Sequence, residues 1–168
     1  EHVALREQVE HVVAARRSRR QLVLYPGGGD VMAVADGNRV RQIVRCLLSN
    51  AMRYGGDQIE VRVGAENGRA TVTVADDGGG VPPGHERSIF DAFHRARSDD
   101  GKTHAMGLGL YVAHHLALLM DGDLTYDRRS GWTMFELALP SVPRGSEVPP
   151  RESSDHGEAA LTAATASA

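Results

Sequence analysis

Gly107-Leu108-Gly109-Leu110 decides how this chain is read, because of what stands upstream of it. The two glycines open an apolar run, Leu110 to Met120, that reads as a buried helix. Glycines at a helix start let backbone N–H groups approach phosphate oxygens. Upstream lie, in order, a helix-like run carrying Asn50, a strand-like run ending at Asp76-Asp77-Gly78-Gly79-Gly80, and Ile89-Phe90-Asp91-Ala92-Phe93-His94-Arg95-Ala96. Singly each is weak. In this order within one small chain they read as a nucleotide site made from a helix, a strand end and a lid.

The remaining segments fall into place around these. Val40, Ile43, Val44, Leu47, Leu48 and Ala51 have helical spacing between Asn38 and Tyr54, and Gly55-Gly56 supplies the stop. Ile59, Val61 and Val63 alternate with polar residues, Asn67-Gly68 gives a hairpin turn, and Val72 and Val74 resume the alternation. Leu124–Tyr126 and Met134–Leu139 form a closing hairpin that turns near Ser130-Gly131. Residues 1–20 read as a helix ending in a basic cluster, Arg16 to Arg20, that suits a solvated C-terminus. Leu22–Tyr25 reads as a short strand stopped by Pro26-Gly27-Gly28-Gly29, with another strand near Val31–Ala35. The order predicts an α/β two-layer sandwich, a mixed sheet with helices on one face. Beyond Pro140, Pro, Ser, Glu and Ala dominate, so residues 1–140 are expected to form one domain and 141–168 a disordered tail.

Bulk properties narrow the function. The chain has 168 residues, 41% hydrophobic and 24% charged, as expected of one globular domain. A net charge of -3 supplies no general field for nucleic acid. Cys46 is the sole cysteine, which excludes an internal disulfide and fits a reducing, cytoplasmic compartment. No apolar run reaches membrane-spanning length and no signal peptide is visible. The first residue is Glu1, so an excised piece is expected.

Asn50 shares a helical stripe with Ile43, Leu47 and Tyr54. It is either a satisfied core amide or a Mg²⁺ ligand through its carbonyl oxygen. In the second case Arg53 can reach phosphate and Tyr54 can offer a flat face to a base. Asp76 is either a plain acidic turn after a strand or an acceptor for the exocyclic amine of adenine. Gly78 and Gly80 permit a sharp turn and a close approach to ligand. Gly107 and Gly109 are not a dinucleotide fingerprint, since Val112 stands where a third glycine belongs. Gly101-Lys102-Thr103 imitates a P-loop end, but Ala96 occupies the place of its first glycine, so residues 97–106 read as a polar lid. None of the eight histidines shows zinc spacing.

The combined pattern resembles the catalytic, ATP-binding domain of two-component sensor histidine kinases, within the superfamily that includes DNA gyrase, heat-shock chaperones and mismatch-repair ATPases. Leu47–Tyr54 is similar to the N box, Asp76–Pro82 to the G1 box, Ile89–Ala96 to the F box and Gly107–Leu110 to the G2 box. The resemblance implies the Bergerat ATP-binding fold, with a mostly antiparallel sheet and a lid loop. It implies that Asn50 holds Mg²⁺, Arg53 contacts phosphate and Tyr54 stacks on adenine. Asp76 would read the adenine amine beside Gly78 and Gly80. Phe90 and Phe93 would anchor the lid, Arg95 would approach the terminal phosphate, and Gly107, Leu108, Gly109 and Leu110 would lie along the phosphates. Asn50, Arg53 and Arg95 are thus the expected catalytic residues, with ATP and Mg²⁺ as cofactors.

This sequence departs from the pattern in three places. Cys46 stands four residues before Asn50, where the ATP-hydrolysing relatives carry a glutamate, which disfavours a hydrolase. Ala105-Met106 replace the usual Gly-Thr before the G2 box. The stretch before the first strand, about twenty residues, is too short for a dimerising helical hairpin, so no phosphoacceptor histidine is assigned. The expected function is donation of the γ-phosphoryl group to a histidine on a separate or missing phosphoacceptor domain, with a response regulator further on. The alternatives are a non-catalytic nucleotide-sensing module and an anti-sigma-type serine kinase, against which Phe90 and Phe93 argue.

Overall fold

A computed structural model describes residues 1–16, 21–27, 29–92 and 108–142. The first strand, β1 (His2–Ala4), leads directly into helix α1 (Leu5–Ala14). Strands β2 (Gln21–Leu24) and β3 (Met32–Val34) precede the long helix α2 (Gly37–Tyr54). The hairpin of β4 (Gln58–Glu66) and β5 (Arg69–Asp76) follows. After a 3-10 turn at Ser88–Phe90 come α3 (Gly109–Leu118), β6 (Asp123–Arg129) and β7 (Trp132–Pro140).

Among the described residues, five strands form the main sheet in the order β2-β4-β5-β7-β6. Only the β2–β4 pair is parallel. The mixed, mostly antiparallel sheet expected from sequence is therefore present, with its apolar face against the helices. Alternation does the sorting: Ile59 and Val61 on β4, Val72 and Val74 on β5, and Leu137 and Leu139 on β7 are buried together. α2 adds Val40, Ile43, Val44, Leu47 and Leu48, each fully buried. Each such side chain contributes roughly 1.5–3 kcal/mol. Both hairpin turns lie where the sequence put them, with positive φ at Asn67 and Gly68 (51° and 73°) and at Ser130 and Gly131 (52° and 84°).

The structure corrects one boundary. Residues 2–4 are a strand, not the start of a helix. β1 pairs antiparallel with β3, Val3 opposite Ala33, in a separate two-stranded sheet. Val3 is buried by that pairing, which local periodicity does not report. α2 begins where Asp36 caps it, its carboxylate accepting from the backbone N–H groups of Asn38 (2.8 Å) and Arg39 (3.2 Å). Backbone bonding continues past Pro140, since the Val142 N–H donates to the Met32 carbonyl at 2.9 Å. The expected tail from residue 143 onward and the expected lid lie outside the described residues.

Candidate functional site

The stripe that carries Asn50 leaves the core as α2 runs toward its C-terminus. Ile43 and Leu47 are fully buried, Asn50 is half-buried and Tyr54 is 61% exposed. Asn50 is therefore not a core amide, and its side chain stands at the edge where helix and solvent meet. Arg53 is also exposed, its guanidinium carbon 6.0 Å from the centre of the Tyr54 ring. Beyond Tyr54 the helix stops at Gly55, whose N–H bonds the Ala51 carbonyl at 2.9 Å.

At that point the helix end meets the end of β5. Asp76 is buried, at 6% exposure, and its carboxylate accepts from the Gly78 N–H at 2.9 Å. A Cβ on Gly55 would stand 2.8 Å from the Asp76 carboxyl carbon, and one on Gly78 would stand 2.6 Å from the Gly55 Cα. Only glycine permits this three-way contact. The sequence marked Gly78 for close approach but read Gly55 merely as a helix stop. Asp77 has a different duty from Asp76: it is exposed, and its carboxylate accepts from the Gln58 N–H at 2.8 Å, which pins the start of β4.

The loop after Asp76 is held from the far side by β6 and β7. Gly80 has φ of +76°, and the Arg128 guanidinium lies where its side chain would be. Arg128 donates to the Gly78 carbonyl at 3.0 Å and to the Thr133 hydroxyl at 3.1 Å, and the Tyr126 hydroxyl accepts from the Val81 N–H at 3.1 Å. Thr133 is buried and directly opposite Asp76 in the sheet. Sequence reasoning missed Tyr126, Arg128 and Thr133. Counting in twos from Leu137 to Thr133 does point a hydroxyl inward, but nothing local shows what it meets.

Of the G2 residues, Leu108, Gly109 and Leu110 lie where α3 packs against the middle of α2. Leu108 stands at the cap of α3, Gly109 opens the helix and Leu110 packs on the core. A Cβ on Gly109 would come 3.1 Å from the Cys46 sulfur, so this glycine lets α3 approach α2 closely. Between the two helices is a cleft of about 240 Å³ lined by Gln42, Cys46, Leu108, Gly109, Val112 and Ala113. Burial pushes the Cys46 thiol up from 9.0 to about 11, so it is neutral at ordinary pH and unable to serve as a general base. The backbone N–H groups of the first turn of α3 are left without helical partners, which suits an anion. Phe90 packs against His114, with ring centres 5.1 Å apart, and edge-on to Phe135 at 6.4 Å. It thus ties the segment before the lid to the core. Phe93, Arg95 and Gly107 lie outside the described residues.

The groups in place are a buried carboxylate at the end of β5, a half-buried amide one turn before the end of α2, and a glycine-opened helix packed against the middle of α2. The fold and these groups define an ATP-binding domain of the two-layer sandwich type. Residues 35–143 match the family described as histidine kinase-, DNA gyrase B-, and HSP90-like ATPase. The chain belongs to this family, as the catalytic, ATP-binding domain of the sensor histidine kinase type. It is 35% identical over 100 residues to the sensor histidine kinase YkoH of Bacillus subtilis, covering 59% of this chain and 22% of that protein. The mycobacterial sensor histidine kinase MprB shares the fold, with a TM-score of 0.71, 23% identity, and coverage of 85% of this chain and 99% of the solved one. Full-length ShkA, solved in complex with AMPPNP, superposes with a TM-score of 0.62 and 26% identity, covering 83% of this chain and 29% of that one. Among the described residues, no helix is long and apolar enough to cross a membrane.

Proposed function

We propose that this chain binds ATP with Mg²⁺ and donates the γ-phosphoryl group to a histidine on a separate phosphoacceptor domain, in the cytoplasm and upstream of a response regulator. The observation that carries it is the corner where buried Asp76 packs against Gly55 and Gly78, at the end of the helix that bears Asn50. Asp76 would accept from the adenine amine, and Tyr54, largely exposed and next to Gly55 in sequence, would cover the base. The Asn50 carbonyl oxygen would ligate Mg²⁺, which when bound spreads the charge of the phosphates. Arg53 and Arg95 would neutralise phosphate oxygens, and the N–H groups opening α3 would orient them. The acceptor imidazole nitrogen bonds to the γ-phosphorus as the bond to the β–γ bridging oxygen breaks, and ADP leaves. The chain's part is positioning and charge neutralisation. The neutral Cys46 thiol supports transfer over hydrolysis, because no base stands four residues before Asn50 to activate water.

Calorimetric titration with a non-hydrolysable ATP analogue, with and without Mg²⁺, tests the binding. Asn50→Ala is expected to abolish the Mg²⁺-dependent part while moving Tm by only a few degrees, since Asn50 is outside the core. Loss of stability with nucleotide binding intact would overturn the assignment. Label transfer from ATP to a candidate histidine-bearing domain tests the chemistry.

A further inference from the structure

The seam where α1 lies along α2 is basic. From Gly37 to Tyr54 the chain holds four arginines and no aspartate or glutamate. Arg39 is answered by Asp36 at 3.8 Å, and Arg53 stands at the far end of the helix. Arg41 and Arg45 are one turn apart on one face, where like charges repel. Arg41 donates to the side-chain oxygens of Gln8 and Asn38, which are neutral amides. Arg16, just past the end of α1, donates to the Arg45 carbonyl at 3.2 Å and lies 3.9 Å from the Met52 sulfur. Arg45 is exposed, and among the described residues its guanidinium has no ion pair. The carboxylates of α1 are turned away: Glu10 pairs with Arg6 at 2.8 Å, and Glu7 sits about 100° round the helix from Gln8. Arg16, Arg41 and Arg45 thus share this seam without a carboxylate among the described residues to balance them.

The same chain carries an acidic stretch within reach. After Arg151 come Glu152, Asp155 and Glu158, with no further lysine or arginine up to Ala168. The described chain leads toward the seam. The Val142 N–H bonds the Met32 carbonyl, and Ala4, the residue before α1, pairs with Met32 from the other side. Two strand spacings, about 10 Å, therefore separate Val142 from Ala4. Gln8 is four helical residues further on, about 6 Å. The ten steps from Val142 to Glu152 can span about 33 Å, so the acidic stretch reaches Arg41 with chain to spare. Glu152 to Glu158 covers about 20 Å when extended, against about 12 Å of helix between Gln8 and Arg16.

We propose that residues 152–158 dock on the α1–α2 seam of their own chain, with Glu152, Asp155 and Glu158 paired to Arg16, Arg41 and Arg45. A single exposed pair is weak. The tether keeps the partners at a high effective concentration, so three such pairs act together. The contact loosens with salt, because the Debye length falls from about 30 Å at 0.01 M to about 3 Å at 1 M. A more acidic partner surface competes for the same three guanidinium groups. None of these residues belongs to the proposed nucleotide site, so the docking and the nucleotide reading fail independently.

The test is paramagnetic broadening of backbone amide signals in the whole chain, with a nitroxide on Ser154→Cys in a Cys46→Ala background. At low salt the amides of Gln8, Arg16, Arg41 and Arg45 are expected to lose intensity, and that of Thr125, on the far edge of the sheet, to keep it. Salt at about 0.5 M is expected to restore the lost intensity. Arg45→Glu is expected to abolish the broadening at the seam, and adding Asp155→Arg to bring it back. Tm reports whether each variant is folded, and Arg41→Gln, which should weaken the broadening, serves if Arg45→Glu folds poorly. Full intensity at the seam at low salt overturns the proposal. So does broadening that survives both salt and the arginine variants. Broadening that appears equally when the nitroxide is carried by a second, isotopically silent copy of the chain also overturns it, since the stretch would then dock between molecules.

Discussion

The C-terminal end of α2 and its middle meet the rest of the molecule in opposite ways. At the end, Gly55, Asp76 and Gly78 are locked together, with backbone so close that a Cβ has no place. In the middle, Cys46 and Gln42 look across an open cleft of about 240 Å³ toward α3. The end beside Asp76, proposed to read the base, is built by the chain's own bonds before any ligand arrives. The side toward α3, proposed to take the phosphates, is left roomy. A rigid floor suits selection of a flat base by paired polar groups, while an open side suits entry and exit of a charged chain.

Substitution at the two regions should separate them. The largest effect is expected from Gly78→Ala, whose Cβ would press on the Gly55 backbone and the Asp76 carboxylate; about 3 kcal/mol of stability should go, read from denaturant unfolding. Asp76→Asn should keep the acceptor for the Gly78 N–H and so hold Tm, yet lose about a hundredfold in ATP affinity by calorimetry, because the new amide donor faces the adenine amine. Equal loss of Tm and affinity would mean that Asp76 only holds the corner together.

On the open side, the Cys46 thiol gives a pH signature. Its folded pKa, about 11, is above the ordinary 9.0, so the unfolded chain ionises first as pH rises. The stability it contributes is whole below pH 9 and is lost toward pH 11, on the order of 1 kcal/mol. Urea unfolding of the wild type and of Cys46→Ala across that range should differ by this increment. The smallest effect belongs to Gly109→Ala. Its Cβ meets one sulfur at 3.1 Å, and the gain in helix propensity offsets that contact, so the net change should stay within about 1 kcal/mol. If Gly109→Ala proved as damaging as Gly78→Ala, the two regions would not differ in the way described.

Much of this was legible in the residues. The helical spacing from Val40 to Ala51 and the alternations at Ile59–Val63 and Val72–Val74 each report one element packed on one side; they named α2 to within a residue and placed β4 and β5 on either side of the Asn67-Gly68 turn. Asn67-Gly68 and Ser130-Gly131 announced their turns because few residues adopt positive φ cheaply. His2–Ala4 misled because a strand of three residues has no period of its own, and its identity comes from β3 thirty residues away.

By itself the sequence determined the elements, their order and the presence of an amide on the apolar stripe of α2, a strand-end carboxylate and paired glycines, since each depends on neighbours a few positions apart. Tertiary structure alone decided that Asn50 lies outside the core, that Gly55 must be glycine for the sake of Asp76, and that Arg128 reaches Thr133 and the loop fifty residues before it. Those facts depend on which surfaces the folded sheet brings within a bond length of one another, and no periodicity along the chain encodes a distance across it.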